Sequence, residues 1–276
     1  MVIAAGVFLS TLGIGTRLLD STSSLQLVFF RSLGLLPTVL IVIWLRKGER
    51  SLISALKVNS IGLLSSLCLV GTSVFVVLAL TNTSVANAMF VISLAPLVAG
   101  IFARLLLKEK LSQVTLISIG VSIIGVLVII NGAISTEGIS GILFAFGMLC
   151  CYGLFSVTLR MGKEFDMLPC IALHGIILIV ALGFYLPSLS IPPKDLLICL
   201  ILGAVQLGMG LTLITLASPN VPAAQLILLA MLEAVLSPIW VWIGVGEQPS
   251  SNALIGGAII ILAISFQALY SKTANP

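Results

Sequence analysis

Residues 96–109 read PLVAGIFARLLLKE, and residues 234–247 read AVLSPIWVWIGVGE. Pro96-(x)12-Glu109 thus recurs as Ala234-(x)12-Glu247 at an offset of 138 (234 − 96, and 247 − 109), half the length of a 276-residue chain. In both places a long apolar run carries a helix breaker, or the position where the other copy has one, and stops at a glutamate. Two like units are expected. Units that each cross a membrane an odd number of times lie upside down to one another, an arrangement that belongs above all to transporters.

Working outward, the chain is 59% apolar and only 8% charged, with a mean hydropathy of +1.28. An ordinary soluble domain carries about 25% charged residues, so the solvent for most of this chain is lipid. The net charge of +4 is small, and nucleic acid is not an expected partner. All five cysteines (Cys68, Cys150, Cys151, Cys170 and Cys199) lie in apolar segments, where they read as small hydrophobes rather than as disulfide or metal ligands. No basic region precedes the first apolar run, so a cleavable signal peptide is not expected. The chain enters lipid at once, and a short cytoplasmic leader upstream of this start is an expectation.

A helix needs about 20 apolar residues to span about 30 Å of hydrocarbon. The apolar runs between polar breaks give ten candidates: Val2–Thr16, Leu25–Leu45, Val58–Leu80, Ala86–Leu107, Val114–Ile130, Ile139–Leu159, Pro169–Leu186, Leu196–Leu216, Pro222–Val245 and Ala253–Tyr270. They are continuously apolar, without the two-residue alternation of a barrel strand. Thr81–Val85 and Ala217–Val221 are tight turns, so spans three and four, and eight and nine, form helical hairpins. With the amino terminus inside, the cytoplasmic side receives Arg46, Lys47, Arg50, Lys57, Arg104, Lys108, Lys110, Arg160, Lys163 and Lys272. The outer side receives Arg17 and Lys194. Lysine and arginine bias sets orientation, so both termini are expected in the cytoplasm of a multi-pass inner-membrane protein. The loop after span two is basic and its mate after span seven carries Lys194 alone, as an inverted second half requires.

Two five-helix units, Pro96 thirteen residues before Glu109, and Gly120 with Gly125 in the following helix resemble the EamA domain of the drug/metabolite transporter superfamily. The second copy runs through Glu233, Glu247 and Gly256-Gly257. The resemblance implies an all-α integral membrane fold of ten transmembrane helices in two inverted five-helix repeats, residues 1–133 and 138–272. It also implies a central cavity lined by helices one, three, four, six, eight and nine. Family members commonly show Glu-Pro in helix nine. Here Glu233 is followed by Ala234, with Pro238 a turn later, so that break is displaced. In the family the fifth and tenth helices meet one another or a second subunit, which leaves a homodimer through helices 5 and 10 open.

Ionisable groups within a span cost about 2.5–3.5 kcal/mol each on insertion scales, and three need a reason. Glu233 lies eleven residues into span nine, too deep to snorkel. It suits proton coupling or a substrate amino group, or else locks span nine to a neighbour by a hydrogen bond. Arg31 is about 9 Å into span two, where a guanidinium can either reach the outer interface or bind a substrate carboxylate. His174 sits at a matching depth in span seven, as a packing residue or a proton relay. Neutral groups form a second set: Asn82 and Asn87 flank the start of span four, Gln206 and Gln225 occupy spans eight and nine, and Ser93, Thr72, Trp240 and Tyr152 add donors or flat walls. They read as interhelical hydrogen bonds worth about 0.6 kcal/mol per pair, or together as a site for a small polar metabolite. Asn87 and Gln225 are the preferred members. Small-residue pairs such as Gly62-x3-Ser66, Ser118-x3-Ser122, Ala204-x3-Gly208 and Ala253-x3-Gly257 read as close helix contacts.

Enzyme motifs are absent. One histidine gives no metal cluster, there is no Walker loop, and Glu233 has no partner acid for an aspartyl protease. No cofactor is expected. The leading expectation is a secondary transporter of small polar metabolites in the lipid bilayer. Export of amino acids or related compounds is what the resemblance implies. A same-fold alternative is uptake or exchange of a nucleotide derivative, which calls for several cavity cations. A different class is a non-transporting scaffold or a channel-like protein.

Overall fold

A backbone in hydrocarbon has to satisfy its own hydrogen bonds, so apolar runs of this length become helices. The computed structural model of the chain describes residues 2–47, 58–108, 113–134, 139–162, 164–217 and 223–270, and among these no strand occurs. The helical rods are α1 (Ile3–Arg17), α2 (Ser24–Lys47), α3 (Ser60–Asn82), α4 (Val85–Leu107), α5 (Gln113–Ile134), α6 (Ile139–Met161), α7 (Leu168–Tyr185), α8 (Pro193–Ala217), α9 (Ala223–Val245) and α10 (Ser251–Tyr270). Seven of them, α2 to α8, are long and apolar enough to cross a membrane. Among the described residues α1, α9 from Leu232 onward, and α10 to Gln267 form shorter apolar helices. This is an all-α, multi-pass membrane protein. Glu109, Lys110, Lys163 and the turn after Ala217 lie outside the described residues.

The ends are tied by specific bonds. Ser84 caps α4 through Oγ, accepting from Asn87 N, and Ser24 bonds Thr81 at 2.9 Å, joining the start of α2 to the end of α3. Arg17 closes α1 by donating to the carbonyls of Leu80 (2.6 Å) and Thr83 (2.9 Å). Gln26 donates to the Ser188 carbonyl after α7, and Asn252 at the start of α10 donates to the Val128 carbonyl late in α5. The ends of α1, α3 and α7 therefore meet the beginnings of α2, α4 and α8 at one end of the molecule.

Helix contacts follow the small residues. Gly34 of α2 packs against the Leu200 backbone, and Gly203 of α8 against the backbone of Arg31. A side chain at either position would drive the two helices apart. On the opposite flank α5 and α10 pair within the chain: a Cβ on Gly125 would lie 2.7 Å from the Gly256 carbonyl. Their other faces expose Leu116, Ile123 and Leu127 on α5 and Ile255, Leu262 and Leu269 on α10.

Candidate functional site

Three rods are irregular near mid-length, and each irregularity faces the same place. In α4, Pro96 has no N–H, so the Ile92 carbonyl loses its i+4 donor; the rod breaks into Val85–Ile92 and Ala95–Leu107, with Ser93 turned back onto the Phe90 carbonyl at 2.6 Å. In α8, Leu202–Met209 is π-helical, a form that frequently marks functional sites. In α9, Pro238 leaves the Ala234 carbonyl without its i+4 donor while the helix continues. The displaced break expected in helix nine is therefore not seen: the helix runs on through Pro238 to Val245.

These segments enclose a cavity of about 60 Å³, lined from α1, α2, α3, α4, α6, α8 and α9. One water needs about 10–15 Å³ on this measure, so the space suits several waters or a small solute. Its wall is mostly apolar, as ligand sites usually are, with a few polar groups from separate helices. Arg31 enters from α2, Thr72 and Ser73 from α3, Tyr152 from α6, Gln206 from the π-helical segment and Glu233 from α9.

Arg31 is the outstanding group. It is 1% exposed, its Nη1 has no hydrogen-bond partner, and no ion pair joins it to a carboxylate among the described residues. The expectation that its stem carries the charge to the outer interface does not hold. Gly34 and Gly203 draw α8 so close that the side chain is walled in beside the cavity. Gln206 donates Nε2 to the Leu9 carbonyl at 3.3 Å and leaves Oε1 unpartnered. Glu233 lines the cavity half-buried. No hydrogen bond from it to a neighbouring helix is found among the described residues.

His174 lies behind this wall. It is fully buried on α7, and its Nε2 is 2.8 Å from Oγ of Ser73. Ser73 is the link to the cavity that the sequence did not single out; nothing in the sequence pairs residues 101 positions apart. Other expected members lie elsewhere. Asn82 is exposed and bonds the Leu78 carbonyl of its own helix at 2.8 Å. Asn87 is buried near the cap of α4, reaching Thr83 at 3.4 Å. Trp240 donates to Ser10 at 3.0 Å and fastens α9 to α1. None of the three lines the cavity. Gln225 falls in α9 where side chains lie outside the described residues.

The end of the molecule above the cavity holds a second polar network. Glu247 accepts from Arg17 Nε at 2.5 Å and from the Val85 N–H at 2.8 Å, so one carboxylate joins the α9–α10 connection, the end of α1 and the positive N-terminus of α4. Asp195, fully buried, accepts from the N–H groups of Asp20 (3.2 Å) and Ser21 (3.1 Å) and from the Thr22 hydroxyl (2.7 Å). The sequence signal for Asp195 was local: two prolines and an acid mark a helix start. Its partners 173 to 175 residues away gave none.

The chain is thus an all-helical membrane protein with a broken α4 and a π-helical stretch of α8 beside a polar-lined cavity. Residues 1–131 match the EamA-like transporter family. An uncharacterized transporter of Clostridium kluyveri is 28% identical, in a match covering 63% of this chain and 60% of that protein; the match spans less than two thirds of the relative's length. A solved crystal structure is similar in fold, with a TM-score of 0.72 at 18% identity, covering 100% of this chain and 97% of that one. The family match covers a little under half of the chain, its amino-terminal part.

Proposed function

We propose that the protein is a secondary transporter that moves small polar metabolites, amino acids or related compounds, across the inner membrane by alternating access. The observation that carries this is the cavity where Arg31, Gln206 and Glu233 present charged or unpartnered atoms beside the α4 break and the π-helical part of α8. A scaffold has no need of unpaired charge in its interior, which costs stability. Outward direction rests on the resemblance alone. A nucleotide derivative fits less well, because Arg31 is the one cation among the lining residues.

The architecture we propose for this mechanism is ten spans in two inverted five-helix units, 1–133 and 138–272, with both termini cytoplasmic. Its support is the 138-residue recurrence, the lysine and arginine bias and the end-to-end contacts. Those contacts put the beginnings of α2, α4, α8 and α10 at the end where α1, α3 and α7 finish. Five spans per unit then make the second unit run opposite to the first, so rocking one against the other opens the cavity alternately to each side. The test is counterflow of labelled solute in proteoliposomes. Glu233→Gln is expected to cut exchange about tenfold or more; unchanged exchange and unchanged pH dependence would place the site elsewhere.

A further inference from the structure

Two acids of the second proposed unit reach the first at the Arg17 end, and they are held differently. Asp195, at the start of α8, is 0% exposed and takes the N–H groups of Asp20 and Ser21 and the Thr22 hydroxyl. Further along the same helix, Gly34 and Gly203 bring the backbones of α2 and α8 into direct contact. Glu247, between α9 and α10, is 26% exposed, and its partner Arg17 24%. Paired, these two grip the backbone of the α3–α4 turn. Arg17 donates to the carbonyls of Leu80 and Thr83, where α3 ends, and Glu247 accepts from the Val85 N–H, where α4 begins. We propose that this end of the molecule is hinged at α2–α8 and latched by the Arg17–Glu247 pair, which has to leave the α3–α4 turn before the cavity can open on the Arg17 side. This rests on the alternating-access reading above and names the contact that regulates it.

Charge, depth and exposure each support the assignment. The last carbonyls of a helix carry partial negative charge and the first N–H groups partial positive charge. A cation on the end of α3 and an anion on the start of α4 therefore match both sides of the turn, which neither charge could do alone. The cavity begins directly beneath. Leu12 is five residues from Arg17 along α1, Met89 four from Val85 along α4, and Val76 six from Asn82 along α3, about 6–9 Å at 1.5 Å per residue. Exposure decides which tie yields. Arg17 and Glu247 can take water in place of the turn, so releasing it strands no charge. Releasing Asp195 would leave a buried carboxylate unpaired, which is strongly destabilising. Lys194 and Asp20, with 59% and 62% of their side chains exposed, are too wet to hold either state.

The test follows the opening itself. Thr72 lines the cavity ten residues from the end of α3, and Thr72→Cys supplies a thiol there, with the unmodified chain as background for the native cysteines. Its reaction with a membrane-impermeant thiol reagent is timed on intact cells and on inside-out vesicles, which present the two faces separately. Added to this reporter, Glu247→Gln keeps an oxygen for the Val85 N–H and removes the charge that holds Arg17, while Arg17→Gln removes the grip on the two carbonyls. Each is expected to speed labelling from the Arg17 side about tenfold or more, the effect of one charged hydrogen bond. Each should also slow labelling from the other face, because a population moved toward one state leaves the other. Lys194→Gln should change neither rate. Asp195→Asn should lower the unfolding temperature and leave the ratio of the two rates near that of the reporter alone. Unchanged labelling from the Arg17 side in either latch variant overturns the latch, and so does an equal effect of Lys194→Gln. Labelling that rises together from both faces reports a loosened fold and overturns it too. A raised ratio in Asp195→Asn overturns the hinge. Faster labelling from the Arg17 side with the other face unchanged leaves the latch standing and sinks alternating access.

Discussion

Arg17 and Lys194 carry the same charge at the same end of the molecule, yet their surroundings give them different weights. Arg17 makes four hydrogen bonds, to Glu247 and to two carbonyls, with both side chains of the ion pair only about a quarter exposed (24% and 26%). Lys194 meets Asp20 at 2.8 Å with the pair 59% and 62% exposed. Hydrogen bonds to charged groups contribute about 1.5–3 kcal/mol each when sheltered, whereas exposed pairs contribute about 0–1 kcal/mol. Arg17→Gln is therefore expected to lower unfolding stability by about 1.5–3 kcal/mol, and Lys194→Gln by less than about 1 kcal/mol. Chemical denaturation of the purified protein in detergent checks both, and equal losses would contradict the burial argument. The sequence showed that Arg17 was present and on which side, but its partners lie 63 to 230 residues away. Periodicity carries no information at that range. Arg31 taught the same lesson in reverse: its depth was legible, while the closeness of α8 that cages it depends on Gly34 and Gly203 facing each other.

At the scale of helices, apolar run length was enough to find the rods, because hydrocarbon leaves the backbone no alternative to helix. Pro96 likewise announced the α4 break. The π-helical stretch of α8 had no such signal, since Leu202–Met209 contains neither proline nor a polar run. Two substitutions separate stability from function here. Pro96→Ala restores an N–H for the Ile92 carbonyl, while Pro96 itself stands in the first turn of Ala95–Leu107, where proline is well tolerated. The variant is expected to change thermal stability by less than about 1 kcal/mol and to exchange solute more slowly, since the break shapes the cavity wall formed by Ile92 and Ala95. A variant as active as wild type would show the break to be dispensable. Gly203→Ala places a methyl against the Arg31 backbone, where no side chain can yield. Overpacking of this kind costs about 1–3 kcal/mol, and counterflow should fall with it. A neutral result in thermal unfolding would mean α2 and α8 sit further apart than described.

At the scale of the whole molecule, the charge bias and the contacts each fit the proposed topology by independent routes. The bias counts residues: ten lysines and arginines on one side against two on the other. The contacts place Arg17, Asp20, Lys194, Asp195 and Glu247 together at a single end. α4 leaves that end at Val85, bonded to Glu247, and 23 residues at 1.5 Å each carry it about 34 Å to Lys108 at the other. That length matches a bilayer core of about 30 Å, so the proposed topology puts Glu247 and Lys108 on opposite membrane faces. If the basic end is cytoplasmic, single cysteines replacing exposed Ser188 and Gln248 should react with a membrane-impermeant thiol reagent in intact cells. Lys108→Cys should react only after permeabilisation. The unmodified chain serves as background for the native cysteines. Ser188 and Gln248 belong to the second proposed unit and Lys108 to the first, so the pattern tests inversion as well as orientation. Labelling of all three from one side would break the proposed topology, and the reversed pattern would keep the topology and turn the protein over in the membrane.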